Sequence, residues 1–175
     1  SGSAVLGIGE SGAEASKPVM EGKGVLVKRF ADIDMFDSEL DISAVGPFCE
    51  AGKAMEPTFG GVNLEDIKAP ECFNLDKRLR EEMDVPVFHD DQHGTAIISG
   101  AALLNATEIS EKDLSEIEIV FSGAGASAIA TARFYVSLGA RKENITMCDS
   151  SGIITEERVA NGDVNEYNSQ FDSDA

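Results

Sequence analysis

The chain has 175 residues, 42% of them hydrophobic and 26% charged, enough for one domain or parts of two around a packed core. Asp and Glu total 32 against 14 Lys and Arg, and the net charge of −18 argues against binding nucleic acids or anionic membranes, which needs clustered Lys and Arg. Cys49, Cys72 and Cys148 stand far apart without a CxxC pair. With no signal peptide and no apolar run of bilayer length, they fit free thiols in a reducing, cytoplasmic compartment. The acidic excess fits either adaptation to concentrated salt or an ordinary acidic surface.

In chain order, residues 4–8 read as a strand already in progress, ending in glycines. Pro18 suits a first helical position, so a helix is expected over 18–31. Residues 34–42 are ambiguous and can hold a strand, and 45–55 show no clear period. Asn74 can cap a short helix with Leu75, Leu79 and Met83 on one face. Pro86 makes the following apolar run an edge or short strand. Residues 94–108 form a helix apolar on most sides, which should be buried. The polar stretch 110–116 is the best domain boundary. Strand 117–121, helix 126–138 with Gly139 as its stop, and strand 145–148 make a β-α-β unit, hence a parallel sheet. The last 20 residues are polar and aperiodic, as in a loop leading into further sequence.

Chemistry concentrates at two acidic pairs. Asp90-Asp91 follow the apolar run Val85-Pro86-Val87-Phe88, and Glu65-Asp66 lie about 25 residues earlier. Two such pairs at strand or loop ends can converge on one hard cation, Mg2+ or Mn2+, which prefers oxygen ligands. Two solvated acidic turns are the alternative. His89 and His93 flank the second pair, where hydrogen bonding to the ligands suits them better than ligation. On the helix after Pro18, Val19, Leu26 and Phe30 fall within a narrow arc, and Lys23 lies on that apolar side. Burial there would lower its pKa and make it a usable base; a lysine snorkelling to water is the alternative.

The dinucleotide pattern GxGxxG/A occurs twice. Gly123-Ala124-Gly125-Ala126-Ser127-Ala128 directly follows a strand and opens a helix, so helix N–H groups can face a pyrophosphate. Asp149 ends the next strand 24 residues past Gly125, close to the ~20-residue offset of a ribose-binding acid. The other match, Gly7-Ile8-Gly9-Glu10-Ser11-Gly12, puts Glu10 where a phosphate would sit. It reads as a tight turn beside the active site that can still touch the nicotinamide end of the cofactor. Glycine used only for close backbone packing is the alternative at both.

These residues together resemble malic enzyme of the prokaryotic type. The resemblance rests on Pro18-Val19-Met20-Glu21-Gly22-Lys23, Glu56-Pro57-Thr58-Phe59-Gly60-Gly61, Asn63-Leu64-Glu65-Asp66-Ile67, Phe88-His89-Asp90-Asp91-Gln92-His93-Gly94-Thr95-Ala96, Gly123-Ala124-Gly125-Ala126 and Cys148-Asp149. It runs from about residue 2 to about residue 171, and the acidic bias would suit a salt-adapted member. It implies an α/β fold: a substrate- and metal-binding portion over 1–109, then the first β-α-β unit of a Rossmann-type NAD(P) domain over 110–175. It also implies oxidative decarboxylation of L-malate to pyruvate and CO2, with NAD or NADP and Mg2+ or Mn2+, in a homo-oligomer when full length.

By motif position, the resemblance puts the metal carboxylates on Glu65, Asp66 and Asp91, the general base on Lys23 and the neighbouring supporting acid on Asp90. The family's general-acid tyrosine and later substrate-binding asparagines have no counterpart here, and Glu10 and Ser11 replace an Asp or Asn and an Ile. A non-catalytic metal- and nucleotide-binding fragment, or a metal-dependent oxaloacetate decarboxylase without redox, are the competing readings. NAD and NADP are not distinguished.

Overall fold

The computed structural model describes residues 2, 3, 5 and 9–173, so most of the strand expected over 4–8 lies outside the described residues. The chain divides into two compact units, Ser1–His89 and Asp90–Ala175. The polar stretch 110–116 falls inside the second.

In the first unit, α1 spans Ala13–Ala31. It starts directly after Gly12 (φ 84°), earlier than expected, and Pro18 sits inside it. Asp32 ends it in the left-handed region (φ 55°), and the Asp32 N–H donates to the Lys28 carbonyl. Residues 32–43 carry neither helix nor strand, so the strand considered over 34–42 is absent. α2 (Val45–Met55) was invisible to periodicity because glycine and alanine dilute its pattern, yet it buries Phe48 and Cys49. β1 (Val62–Leu64), α3 (Glu71–Glu82) and β2 (Val87–His89) follow. Leu75 and Leu79 of α3, with Met83 just beyond it, are buried as expected, and α3 starts before Asn74 rather than at it.

β1 and β2 are parallel, with Val62 opposite Val87, Asn63 opposite Phe88 and Leu64 opposite His89. A parallel pair needs a crossover, and α3 supplies it. This β-α-β unit was not foreseen, because each strand is only three residues long, too short for a period to register.

The second unit opens with a π-helical turn, Asp90–Gly94, and continues into α4 (Thr95–Ile109). β3 (Ile119–Ser122), α5 (Ala126–Leu138) and β4 (Ile145–Asp149) form the expected β-α-β unit, with β3 and β4 parallel. Gly139 ends α5 at φ 121°. A short β5 (Gly152–Ile153) pairs antiparallel with β4, and α6 (Glu156–Ala160), capped by the Thr155 side chain, follows. Structure over 156–171 was not expected from so polar a stretch.

α4 corrects a further expectation. It packs on α5 at Gly100, where a Cβ would overlap the Phe134 ring. Its other sides are open: Ile98 is 73% exposed and Ile109 84%. An all-apolar sequence requires burial only where a second element lies against it, and α5 covers one side.

Candidate functional site

In the first unit, Glu65 and Asp66 follow β1 directly. Asp66 holds a positive φ of 53°, unusual for a residue with a side chain. Its carbonyl accepts the Ser3 N–H at 3.0 Å, which fixes the turn, and its side chain is buried (4% exposed). Burial, first, and the neighbouring Glu65 charge raise its pKa above the ordinary carboxylate value. Lys23 Nζ lies 2.6 Å from Glu65 Oε2, with both side chains largely buried. Asn63 Nδ2 donates to the same oxygen at 3.2 Å.

The inward placement of Lys23 was anticipated; the face was not. Lys23 shares the inward side of α1 with Ala13, Ser16, Met20 and Val27, whereas Leu26 and Phe30 lie out in solvent. The lysine comes inward because Glu65 draws it, and no apolar stripe is needed.

Since Leu64 pairs with His89, the residues that follow each leave from the same end of the two-stranded sheet. After Leu64 these are Glu65-Asp66; after the fully buried His89 they are Asp90-Asp91. In the second unit, Asp90 and Asp91 are half-buried within the π-helical turn, which packs against α4 and α5. A Cβ on Gly94 would overlap the Asp90 carboxylate, so glycine at this position lets that acid fold back over its own turn.

At the other site, Gly123 has φ 127°, which only glycine adopts without strain, and its N–H donates to the Cys148 carbonyl at 2.9 Å. Gly125 differs. Its φ of −79° suits any residue, and a Cβ there would meet nothing within 4 Å. The fold itself does not require glycine at 125; close approach of a ligand would. Ala126 and Ser127 open α5, whose first N–H groups lack intrahelical partners.

Asp149, at the end of β4, is gripped by Arg158. Arg158 Nη2 lies 2.7 Å from Oδ2 and Nη1 3.1 Å from Oδ1, and the guanidinium also donates to the Gly152 and Ile153 carbonyls. This pair holds the Asp149 carboxyl below its ordinary pKa. Sequence reasoning missed Arg158, although it is the one base after Lys142 and stands in an acidic tail, which could have marked it as a partner. Asn63 and Ser3 were also missed; neither type carries a signal outside its contacts.

In the first glycine loop, Gly7 lies outside the described residues. Gly9 (φ 78°) exchanges backbone hydrogen bonds with Val5, a tight turn, and Gly12 caps α1. α1 thus opens directly behind this loop and not at Pro18 as expected. Glu10 stays exposed, 3.8 Å from Lys68 Nζ.

Comparison with known proteins matches residues 1–46 to the family model of the malic enzyme N-terminal domain and residues 92–175 to that of the malic enzyme NAD binding domain. The chain is 59% identical over 160 residues to the NADP-dependent malic enzyme of Escherichia coli, covering 91% of this chain and 21% of that protein. It is 58% identical over 159 residues to the NAD-dependent malic enzyme of Rhizobium meliloti, with the same coverage of each. It thus spans about a fifth of the length of these curated relatives. The crystal structure of the NAD-dependent malic enzyme of Thermotoga maritima superposes with a TM-score of 0.90 at 46% identity, covering 97% of this chain and 44% of that one. With both domain models matched and solved malic enzymes sharing its fold, the chain belongs to the malic enzyme family.

Proposed function

We propose that this chain supplies the metal site, the base and the first half of the nucleotide site of an enzyme that oxidatively decarboxylates L-malate to pyruvate and CO2. The observation carrying this reading is the Lys23–Glu65 contact of 2.6 Å, an amine held against a carboxylate at the end of β1. Glu65, Asp66 and Asp91 would hold Mg2+ or Mn2+, with Asp90 supporting them. Their all-oxygen donor set suits a hard cation, and the Leu64–His89 pairing starts both acidic segments from one sheet end. When bound, a divalent cation supplies Lewis acidity toward the hydroxyl and carboxylate of malate, and a dinucleotide supplies the hydride acceptor.

Lys23, in its neutral form, would take the malate hydroxyl proton on its Nζ as the C2 hydride departs. Glu65 and Asn63 orient that amine and each other. Gly123, Ala124, Gly125, Ala126 and Ser127 receive the pyrophosphate of NAD or NADP at the start of α5, and Asp149 serves the adenosine ribose. The loop of Gly7, Gly9 and Gly12 is carried over from the family resemblance as one that would touch the nicotinamide end of the cofactor. By chemistry the division falls between 1–109 and 110–175, because Asp90 and Asp91 work with the first portion.

Cys49, Cys72 and Cys148 form no disulfide, which fits a cytoplasmic setting. Among the described residues no helix is long and apolar enough to cross a membrane. A homo-oligomer is carried over from the family. A malate assay on the full-length enzyme carrying this segment, with NAD or NADP and with or without Mn2+, tests the proposal. Reduced dinucleotide and pyruvate formed only with metal support it; metal-dependent release of CO2 from oxaloacetate without any redox activity overturns it.

A further inference from the structure

The short turn Asn168–Phe171 is accounted for neither by the glycine fingerprint nor by the ribose acid. Asn168 is 7% exposed, and its Nδ2 donates to the carbonyl of Ala124, the middle residue of the glycine loop, at 3.1 Å. The turn is anchored independently. The Asn165 side-chain oxygen accepts the backbone N–H groups of Tyr167 and Asn168, each at 3.0 Å. Gln170 Oε1 accepts both Nε and Nη2 of Arg133 on α5, at 3.0 and 2.7 Å, and Phe171 is buried beside them.

We propose that Asn168 is a positioning residue for the dinucleotide, acting through the peptide between Ala124 and Gly125; this rests on the function proposed above. A trans peptide is planar, with its C=O and N–H on opposite sides. Holding the Ala124 carbonyl against Asn168 aims the Gly125 N–H the other way, and nothing lies within 4 Å of where a Cβ on Gly125 would stand, so a ligand can approach this peptide closely. Without that bond the peptide is free to rotate, and the N–H is no longer oriented before a pyrophosphate arrives. Asn168 Oδ1 is buried and accepts no hydrogen bond among the described residues. Such an acceptor lowers stability, so the side chain is a poor choice as a purely structural prop and a reasonable one for its donor.

The test compares Asn168→Ala and Asn168→Asp with wild type in the full-length enzyme. Ala removes both ends of the amide; Asp keeps the acceptor and loses the donor. Calorimetric titration with NAD and NADP should show the dissociation constant of the dinucleotide raised about fivefold to tenfold in both, the size of one neutral hydrogen bond. KM for malate, kcat at saturating dinucleotide and Mn2+ affinity should stay within about twofold of wild type, and the Tm of Asn168→Ala within about 2 °C. Unchanged dinucleotide affinity in both variants overturns the proposal. So does a parallel loss of dinucleotide affinity, kcat and Tm, which marks a purely structural residue. Failure of the wild type to bind either dinucleotide overturns the parent reading instead.

Discussion

The end of β1 and the start of α5 prepare for ligands in opposite ways. At Glu65-Asp66 the chain gathers charge in advance: a buried acid whose pKa burial has raised, an amine at 2.6 Å and a backbone held at positive φ. At Gly123–Ser127 it removes side chains and leaves backbone N–H groups and open space. The first arrangement depends on residue identity, and the proposed role of its buried acid is to hold a cation. The second depends on backbone shape and adds no buried charge to the fold. Substitutions should therefore separate the two ends cleanly.

The largest separation is expected at Lys23. Lys23→Ala in the full-length enzyme should lower kcat by at least ~100-fold, the lower end for a positioned general base, while dinucleotide affinity stays nearly intact. Stopped-flow turnover together with cofactor titration reads both; unchanged turnover removes Lys23 from the chemistry.

Asp66→Asn comes next and should act in two directions. Mn2+ affinity should fall by at least about 10–100-fold, the range seen when even an outer-shell partner of a metal is lost. Metal-free stability should rise, by roughly 2–4 °C in Tm for each kcal/mol of relieved desolvation. The sign follows from linkage. The folded pKa of Asp66 is raised, so its stabilising contribution is full below the ordinary carboxylate value and is lost as pH rises through the folded value. Wild type should therefore lose stability relative to Asp66→Asn across that window. A Tm difference between the two that is the same at neutral pH as at pH 4 would contradict it.

Gly125→Ala and Gly123→Ala sharpen the other end. The open space and ordinary φ at 125 leave stability within about 0.5 kcal/mol of wild type, with weakened dinucleotide binding and unchanged Mn2+ affinity. At 123 the φ of 127° costs stability, on the order of 1–3 kcal/mol. Denaturant melts with calorimetry distinguish the pair, and equal destabilisation at both positions would undo the contrast.

The smallest effect concerns Asp149. Its folded pKa is lowered by Arg158, so that pairing stabilises the fold above the ordinary carboxylate value and is lost as pH falls through the lower folded value. Arg158→Ala should flatten the acid limb of the stability profile slightly. An acid limb that coincides with wild type would mean the pair contributes nothing.

The two ends also differed in how readable they were. The β-α-β unit from β3 to β4 was legible because Gly123, Gly125 and Gly139 punctuate it and the strands are β-branched. The unit built on β1, α3 and β2 was not, since its strands are three residues long and nothing local marks their pairing. Lys23 was identified as inward-facing for the wrong reason: helical periodicity assigned it to the side of Leu26 and Phe30, whereas Glu65, 42 positions away, is what holds it. Arg158 and Asn168 were missed because their roles exist only through contacts that the chain makes after folding back on itself.

The central claim is that Glu65, Asp66 and Asp91 hold one divalent cation beside Lys23. Titration of Mn2+ into this chain by electron paramagnetic resonance tests it most directly, at about 0.15 M salt to screen diffuse binding by the −18 charge. One saturable site per chain is expected, weakened at least about tenfold by Glu65→Gln, Asp66→Asn or Asp91→Asn singly and hardly at all by Asp149→Asn. No saturable site, or one that all three substitutions leave unchanged, would contradict it.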